Sequence, residues 1–125
     1  MTFRFAELVG AYRLVVTSDL RMFIERTFVE PLPVAERDAR RAEALAEASA
    51  AQIEFTPDGF FVSRSGAQVI FRVRLNLDLT DHDQLNFEKS PGQRVTIRRL
   101  NEDTLIALQP SRPPAEFRRV QMSRS

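Results

Sequence analysis

Between residues 52 and 122, turn chemistry cuts the chain into seven short runs, in most of which apolar side chains recur at every second position. The runs are 52–57, 60–65, 67–79, 84–89, 94–100, 104–109 and 116–122. The breaks are Pro57-Asp58-Gly59, Ser65-Gly66, Thr80-Asp81-His82-Asp83, Ser90-Pro91-Gly92, Asn101-Glu102-Asp103 and Pro110-Ser111-Arg112-Pro113-Pro114. Gly, Pro, Asn and Asp supply the dihedrals and local hydrogen bonds that reverse a strand. Roughly ten residues per strand and turn is the spacing of an antiparallel meander. The clearest alternation sets Val69, Phe71, Val73, Leu75, Leu77 and Leu79 against Arg72, Arg74, Asn76 and Asp78, so one face of that strand belongs inside. Ile53 with Phe55, Leu85 with Phe87, and Val95 with Ile97 repeat the pattern. The runs around Phe60-Phe61-Val62 and Leu105-Ile106-Ala107-Leu108 are apolar on both faces, and call for an outer cover from a helix or a second subunit.

Upstream the period is different. Phe3 to Leu8 can form a helical turn that Gly10 breaks, and Tyr12, Leu14 and Val16 mark a first strand. Thr17, Ser18 or Asp19 can cap a helix over Leu20–Ile24, which Pro31 and Pro33 end. Val34 to Ala51 is rich in Ala, Glu and Arg, the strongest helix formers. Ala35, Ala39, Ala42, Ala46 and Ala50 form one stripe, and Glu36 with Arg40 and Asp38 with Arg41 are spaced to pair on the exposed side. The expected architecture is mainly β: a single domain over residues 1–125, an eight-stranded antiparallel up-and-down β-barrel. A helical insert over about residues 19–51 lies between its first and second strands, and residues 123–125 form a disordered tail.

Composition narrows the chemistry. At 125 residues the chain can build one core and not two. Lys and Arg number 18 against 17 Asp and Glu, too balanced a charge to steer the protein to nucleic acid or an anionic membrane. With no cysteine, disulfides, thiolate metal sites and cysteine nucleophiles are excluded, and one histidine is too few for the usual zinc site. His82, between Asp81 and Asp83, reads as part of a polar turn. The serines have no recognisable base, and four glycines leave no phosphate cradle. Arg64, Arg72, Arg74, Arg94, Arg98 and Arg99 concentrate on strands and read first as outward solubilising charge; the alternatives are a nucleic-acid face of the stacking type with Phe60, Phe61 and Phe71, and one or two of them pointing inward to bind an anionic head group. No apolar run is long enough to span a bilayer. These readings point to a soluble, cytoplasmic protein without cofactor, metal or catalytic residues, and not an enzyme.

Three stretches taken together resemble the calycin group of small barrels, specifically bacterial lipocalin-like domains. Gly10-Ala11-Tyr12-Arg13-Leu14 is similar to the Gly-x-Trp opening of the first strand, with Tyr for Trp. Ile53 to Phe61 is similar to the second hairpin, and Leu100 to Leu108 followed by Phe117-Arg118-Arg119-Val120 to the closing strands. The resemblance covers nearly the whole chain. It implies a barrel in which the opening aromatic packs beneath an arginine of the last strand, Tyr12 against Arg118 or Arg119. Counting parity with Val120 and Met122 favours Arg118. The insert of about 35 residues departs from the lipocalin pattern and is similar in position to the helical lid of fatty-acid-binding proteins.

An eight-stranded barrel is just wide enough to be filled by side chains or to hold one small ligand. The expected function is non-enzymatic binding of a small hydrophobic or fatty-acyl molecule in a narrow cavity, entered near the helices. Its candidate lining is Phe55, Phe71, Val73, Leu75, Phe87 and Ile97, with Arg98 or Arg118 to meet a carboxylate. The alternative is a solid-barrel interaction module or homodimer with no small-molecule ligand.

Overall fold

The computed structural model describes residues 5–75, 84–110 and 112–120. Leu77, Leu79, the Asp81-His82-Asp83 turn, Met122 and the 123–125 tail lie outside the described residues. Eight antiparallel strands form one nearly closed, barrel-like sheet: β1 (Gly10–Leu14), β2 (Ala51–Phe55), β3 (Phe60–Ser65), β4 (Gln68–Arg74), β5 (Gln84–Ser90), β6 (Gln93–Arg99), β7 (Thr104–Leu108) and β8 (Ala115–Arg119). The hydrogen-bonded order is β4-β3-β2-β1-β8-β7-β6-β5. It is an up-and-down meander joined first strand to last, as expected. Among the described residues no ladder joins β4 to β5. The gap is spanned inside the sheet by Phe61 of β3, whose ring centroid lies 5.7 Å from Phe71 of β4 and 4.7 Å from Phe87 of β5.

Before β1 lies α1 (Phe5–Leu8), and between β1 and β2 lie α2 (Ser18–Ile24) and α3 (Val34–Ala50). The Thr17 hydroxyl caps α2, accepting the Leu20 amide at 3.2 Å. The helix then widens over Glu25–Val29 into a π turn closed by the Glu30 amide donating to the Glu25 carbonyl at 2.8 Å. Arg37 holds the bend that Pro31 and Pro33 create, donating to the carbonyls of Leu32 at 3.0 Å and Glu30 at 3.1 Å. Arg41 of α3 forks onto the Glu25 carboxylate and also reaches Asp38 at 2.8 Å. The hydrogen-bonded Arg41 guanidinium holds the Glu25 carboxyl below its ordinary pKa, against an opposing desolvation.

The contact stripe of α3 is not the one its alanines outline. Ala35, Ala39, Ala42 and Ala46 are exposed and Ala50 is half-buried. Ala44 is the buried residue, packed with Leu45 and Ala48 against Leu20, Ile24 and Val29. A methyl group is at home on either face of a helix, so the single Leu45 and the larger residues of α2 decide the orientation. Asp38 pairs with Arg41 as the spacing predicts, whereas Arg40 turns to Glu43 at 3.6 Å.

The alternation in β4 also breaks. Its register against β3 shifts at Ser63/Arg64, so that Ser63 faces Phe71 and Arg64 faces Val69. Ile70 is the extra residue. Val69 and Ile70 are 48% and 57% exposed, and the inward series begins at Phe71.

The core lies inside the sheet and is densest at one end. Tyr12, Phe55, Leu85, Ile97 and Leu105 are fully buried there, with Leu8 of α1 closing the end from outside the strands. Edge-on ring contacts run from Phe5 and Tyr12 to Phe55, each at 6.2 Å, and from Phe55 to Phe61 at 5.4 Å. At this closed end, Arg119 joins the first strand to the last. Its guanidinium lies 4.8 Å from the Tyr12 ring centre and donates to the Tyr12 hydroxyl at 2.7 Å. It also donates to the carbonyls of Val9 at 2.9 Å, Glu7 at 2.9 Å and Glu102 at 3.1 Å. The Tyr12 hydroxyl in turn donates to the Leu8 carbonyl at 2.9 Å. Gly10, at φ 136°, leaves room for this fork: a Cβ there would fall 2.7 Å from Arg119 Nη1.

The stacking of Tyr12 beneath a last-strand arginine is thus present, but its partner is Arg119. The parity that favoured Arg118 is corrected by the register. Leu14 faces Phe117 and Tyr12 faces Arg119, so 117 and 119 point inward together. Arg118 is exposed and pairs with Glu116 at 3.1 Å.

Two outcomes follow. Arg119→Met, which keeps the apolar stem but leaves three carbonyls and a phenol without their donor, should lower unfolding free energy by about 2–4 kcal/mol, against under about 1 for Arg118→Met. Urea denaturation measures both; equal losses would refute the assignment. Burial, partly offset by Arg119, raises the Tyr12 pKa above its ordinary 10.0. The unfolded chain therefore releases this proton first. The stabilisation is complete below pH 10 and disappears as pH rises through the folded value. Because Tyr12 is the only tyrosine, tyrosinate absorbance reports it directly. Tyr12→Phe should start less stable near neutrality and lose less between about pH 9 and 11.

Candidate functional site

The aromatic packing that fills the closed end does not reach the other. At the opposite end the strands enclose a cavity of about 240 Å³. Its floor and walls are Ile53, Phe61, Phe71, Val95, Ile97 and Phe117. Leu14, Ala51, Ala107 and Ala115 also line it, and at the three alanines small side chains leave the space open. Leu20 and Phe23, three apart on α2, hang over the mouth as a lid. The Thr17 cap sets where α2 starts and therefore which residues point down. This lid packs mainly on α3, in a cluster separate from the barrel core.

Four polar side chains break the apolar lining: Ser63, Lys89, Gln109 and Arg112. Lys89 is the chain's only lysine, among many arginines. The β5–β6 ladder shifts register between Glu88 and Ser90, making Lys89 the extra residue. A bulge of this kind re-aims a side chain at a barrel rim. Here it sets the ammonium 5.8 Å from the Phe71 ring centre. The second bulge, at Ser63/Arg64, lies on the other strand pair flanking the β4/β5 seam, so both irregularities border the cavity. Arg112 comes from the β7–β8 loop, where its amide bonds the Gln109 carbonyl at 3.4 Å and Pro113 stiffens the next step.

The eight candidate lining residues divide by depth and by face. Phe71 and Ile97 line the cavity. Phe55 and Leu75 are buried in the core and Phe87 packs against it, none of the three lining the cavity. Val73 is half-buried on β4 and is not part of the lining. Arg98 and Arg118 are exposed: the alternation that puts Ile97 and Phe117 inside puts their successors outside. The cations that do line the cavity, Lys89 and Arg112, were missed. Lys89 was open to discovery, because it continues the inward parity of Leu85 and Phe87. Arg112 had no local signal, since only tertiary folding carries its loop over the mouth.

The strand arginines mostly have partners. Arg64 meets Glu54 at 2.8 Å, Arg99 meets Glu7 at 2.6 Å, and Arg72 lies 3.9 Å above the outward Phe60 ring. Phe61 and Phe71 are on the other side of the sheet. Among the described residues no helix is long and apolar enough to cross a membrane, and no group of three or more His, Cys, Asp or Glu could hold a metal ion.

No family model, no curated protein and no solved structure matches this chain.

Proposed function

We propose that the protein is a non-enzymatic, lipocalin-like binder that takes one small hydrophobic or fatty-acyl molecule into the open half of its barrel. The observation that carries this reading is the 240 Å³ cavity itself, walled by apolar side chains and placed beneath an apolar helical lid. A core that needed only stability would be filled here as it is at the closed end, because an empty apolar space costs packing free energy. The volume lies just below the range of about 300–1,000 Å³ typical of drug-sized ligands, so the guest is small. At about 30 Å³ per water-sized group the space holds roughly eight carbon positions. Burying eight methylenes at about 0.8 kcal/mol each gives roughly 6 kcal/mol, an affinity in the tens of micromolar.

A second reading has its own support. Val69 and Ile70 are exposed on β4, an edge of the hydrogen-bonded sheet, and would serve a homodimer or interaction module pairing along that edge.

Titration with a neutral, environment-sensitive apolar dye separates the two, since the guest and the edge use different surfaces. Fluorescence enhancement should saturate at up to about 100 µM protein. Ala107→Phe, which projects a ring into the cavity, should weaken it at least about tenfold, while Ile70→Lys leaves it unchanged. Native mass measurement gives the converse: a dimer lost in Ile70→Lys, with no dye uptake by the wild type, would replace the binder with the interaction module.

A further inference from the structure

We infer that the guest is an amphipathic anion, a carboxylate with a short apolar chain, held head-up at the mouth by Lys89 and Arg112. The inference rests on the cavity being a binding site. It adds which end of the molecule is where, and what charge that end carries.

Three observations lead to it. The lining contains two cationic side chains and, among the described residues, no carboxylate. Several arginines elsewhere on the molecule are matched with acids, as in Arg41 with Glu25, Arg64 with Glu54, and Arg99 with Glu7. Neither Lys89 nor Arg112 has an acidic partner of that kind among the described residues; Lys89 has the face of Phe71, and Arg112 a backbone bond. Finally, both cations occupy specially shaped backbone: Lys89 a bulge, Arg112 a proline-flanked loop. One comes from a bulge in β5 and the other from the β7–β8 loop, and both line the same cavity.

The arrangement suits a single negative group better than two. Lys89 is a compact charge on a flexible stem, and Arg112 offers a planar fork that can take both oxygens of one carboxylate. Gln109 and Ser63 add neutral hydrogen-bonding capacity to the lining, Ser63 among the walls opposite Ile53 and Phe71. Apart from Ser63 the walls are apolar down to Ile97 and Phe117, which suits a hydrocarbon tail and nothing charged. A neutral alcohol would leave both cations without compensation, and an amine would face them with like charge.

Octanoate, octanol and octylammonium match the volume and differ only in the head, so calorimetric titration of the intact protein with all three tests the inference. Octanoate should bind at least tenfold more tightly than octanol, and octylammonium more weakly than both. Lys89→Met and Arg112→Met should each lower octanoate affinity about tenfold while leaving octanol within twofold, and raised salt should narrow the gap between acid and alcohol. Because Lys89 is the only lysine, reductive methylation with isotope-labelled formaldehyde places one side-chain reporter there, whose resonance should move with octanoate and not with octanol. Octanol binding as tightly as octanoate, with no response to either substitution, would overturn the anionic head while leaving the apolar cavity standing. If none of the three binds, and the neutral dye is not taken up, the cavity reading itself fails. The comparison of heads in the wild type stands even if a variant does not fold.

Discussion

The arginine at the end of the last strand holds this barrel shut. Arg119 arrives on β8 pointing inward behind Phe117, and its fork meets carbonyls from Glu7, Val9 and Glu102 together with the Tyr12 hydroxyl. Those groups belong to the segment before β1, to β1, and to the β6–β7 connection. β1 is flanked by β2 and β8 in the sheet, so fixing it to β8 fixes the two halves of the meander to each other. A guanidinium suits the task because its donors diverge in one plane and its face can rest on a ring. The remaining gap, between β4 and β5, is bridged from inside by Phe61 of β3, which packs on Phe71 and Phe87 and buries area without requiring a ladder.

Closing one end in this way shapes the other. The Phe5, Tyr12, Phe55 and Phe61 rings fill the cross-section near Arg119 and act as a floor. Above that floor the inward positions shrink to alanines at 51, 107 and 115, and the strands at the seam carry a bulge on each side. Space is left where the lid helix crosses. The lid has its own small core of Ile24, Val29 and Ala44, clamped by Arg41 and Glu25, and covers the space without being part of the barrel's interior packing. The interior is packed at one end and open at the other, so filled and hollow barrel are both realised at different heights.

Much of this was legible because strand side chains alternate and turns have a chemistry. The eight strands, their antiparallel order and the helical insert follow from those two rules. The errors lie where a rule had two solutions. Arg118 and Arg119 are adjacent basic residues at the end of a short strand, and only the pairing of Tyr12 with Arg119 decides which faces in. The alanines of α3 tolerate either water or a neighbour, so their stripe carried no directional information. Val69 was counted inward because a bulge at Ile70 shifts parity without leaving a mark in hydropathy.

The amino-acid order by itself determined the number of strands, their up-and-down succession and the apolar character of the interior, because each depends on neighbours two to ten residues away. Whether the interior is full or empty at a given height depends on side chains from six or more strands meeting at one level, and no local pattern encodes that sum. The same holds for the charges: Lys89 and Arg112 are separated by two strands and their turns in the chain, and only closure of the barrel brings them to one opening.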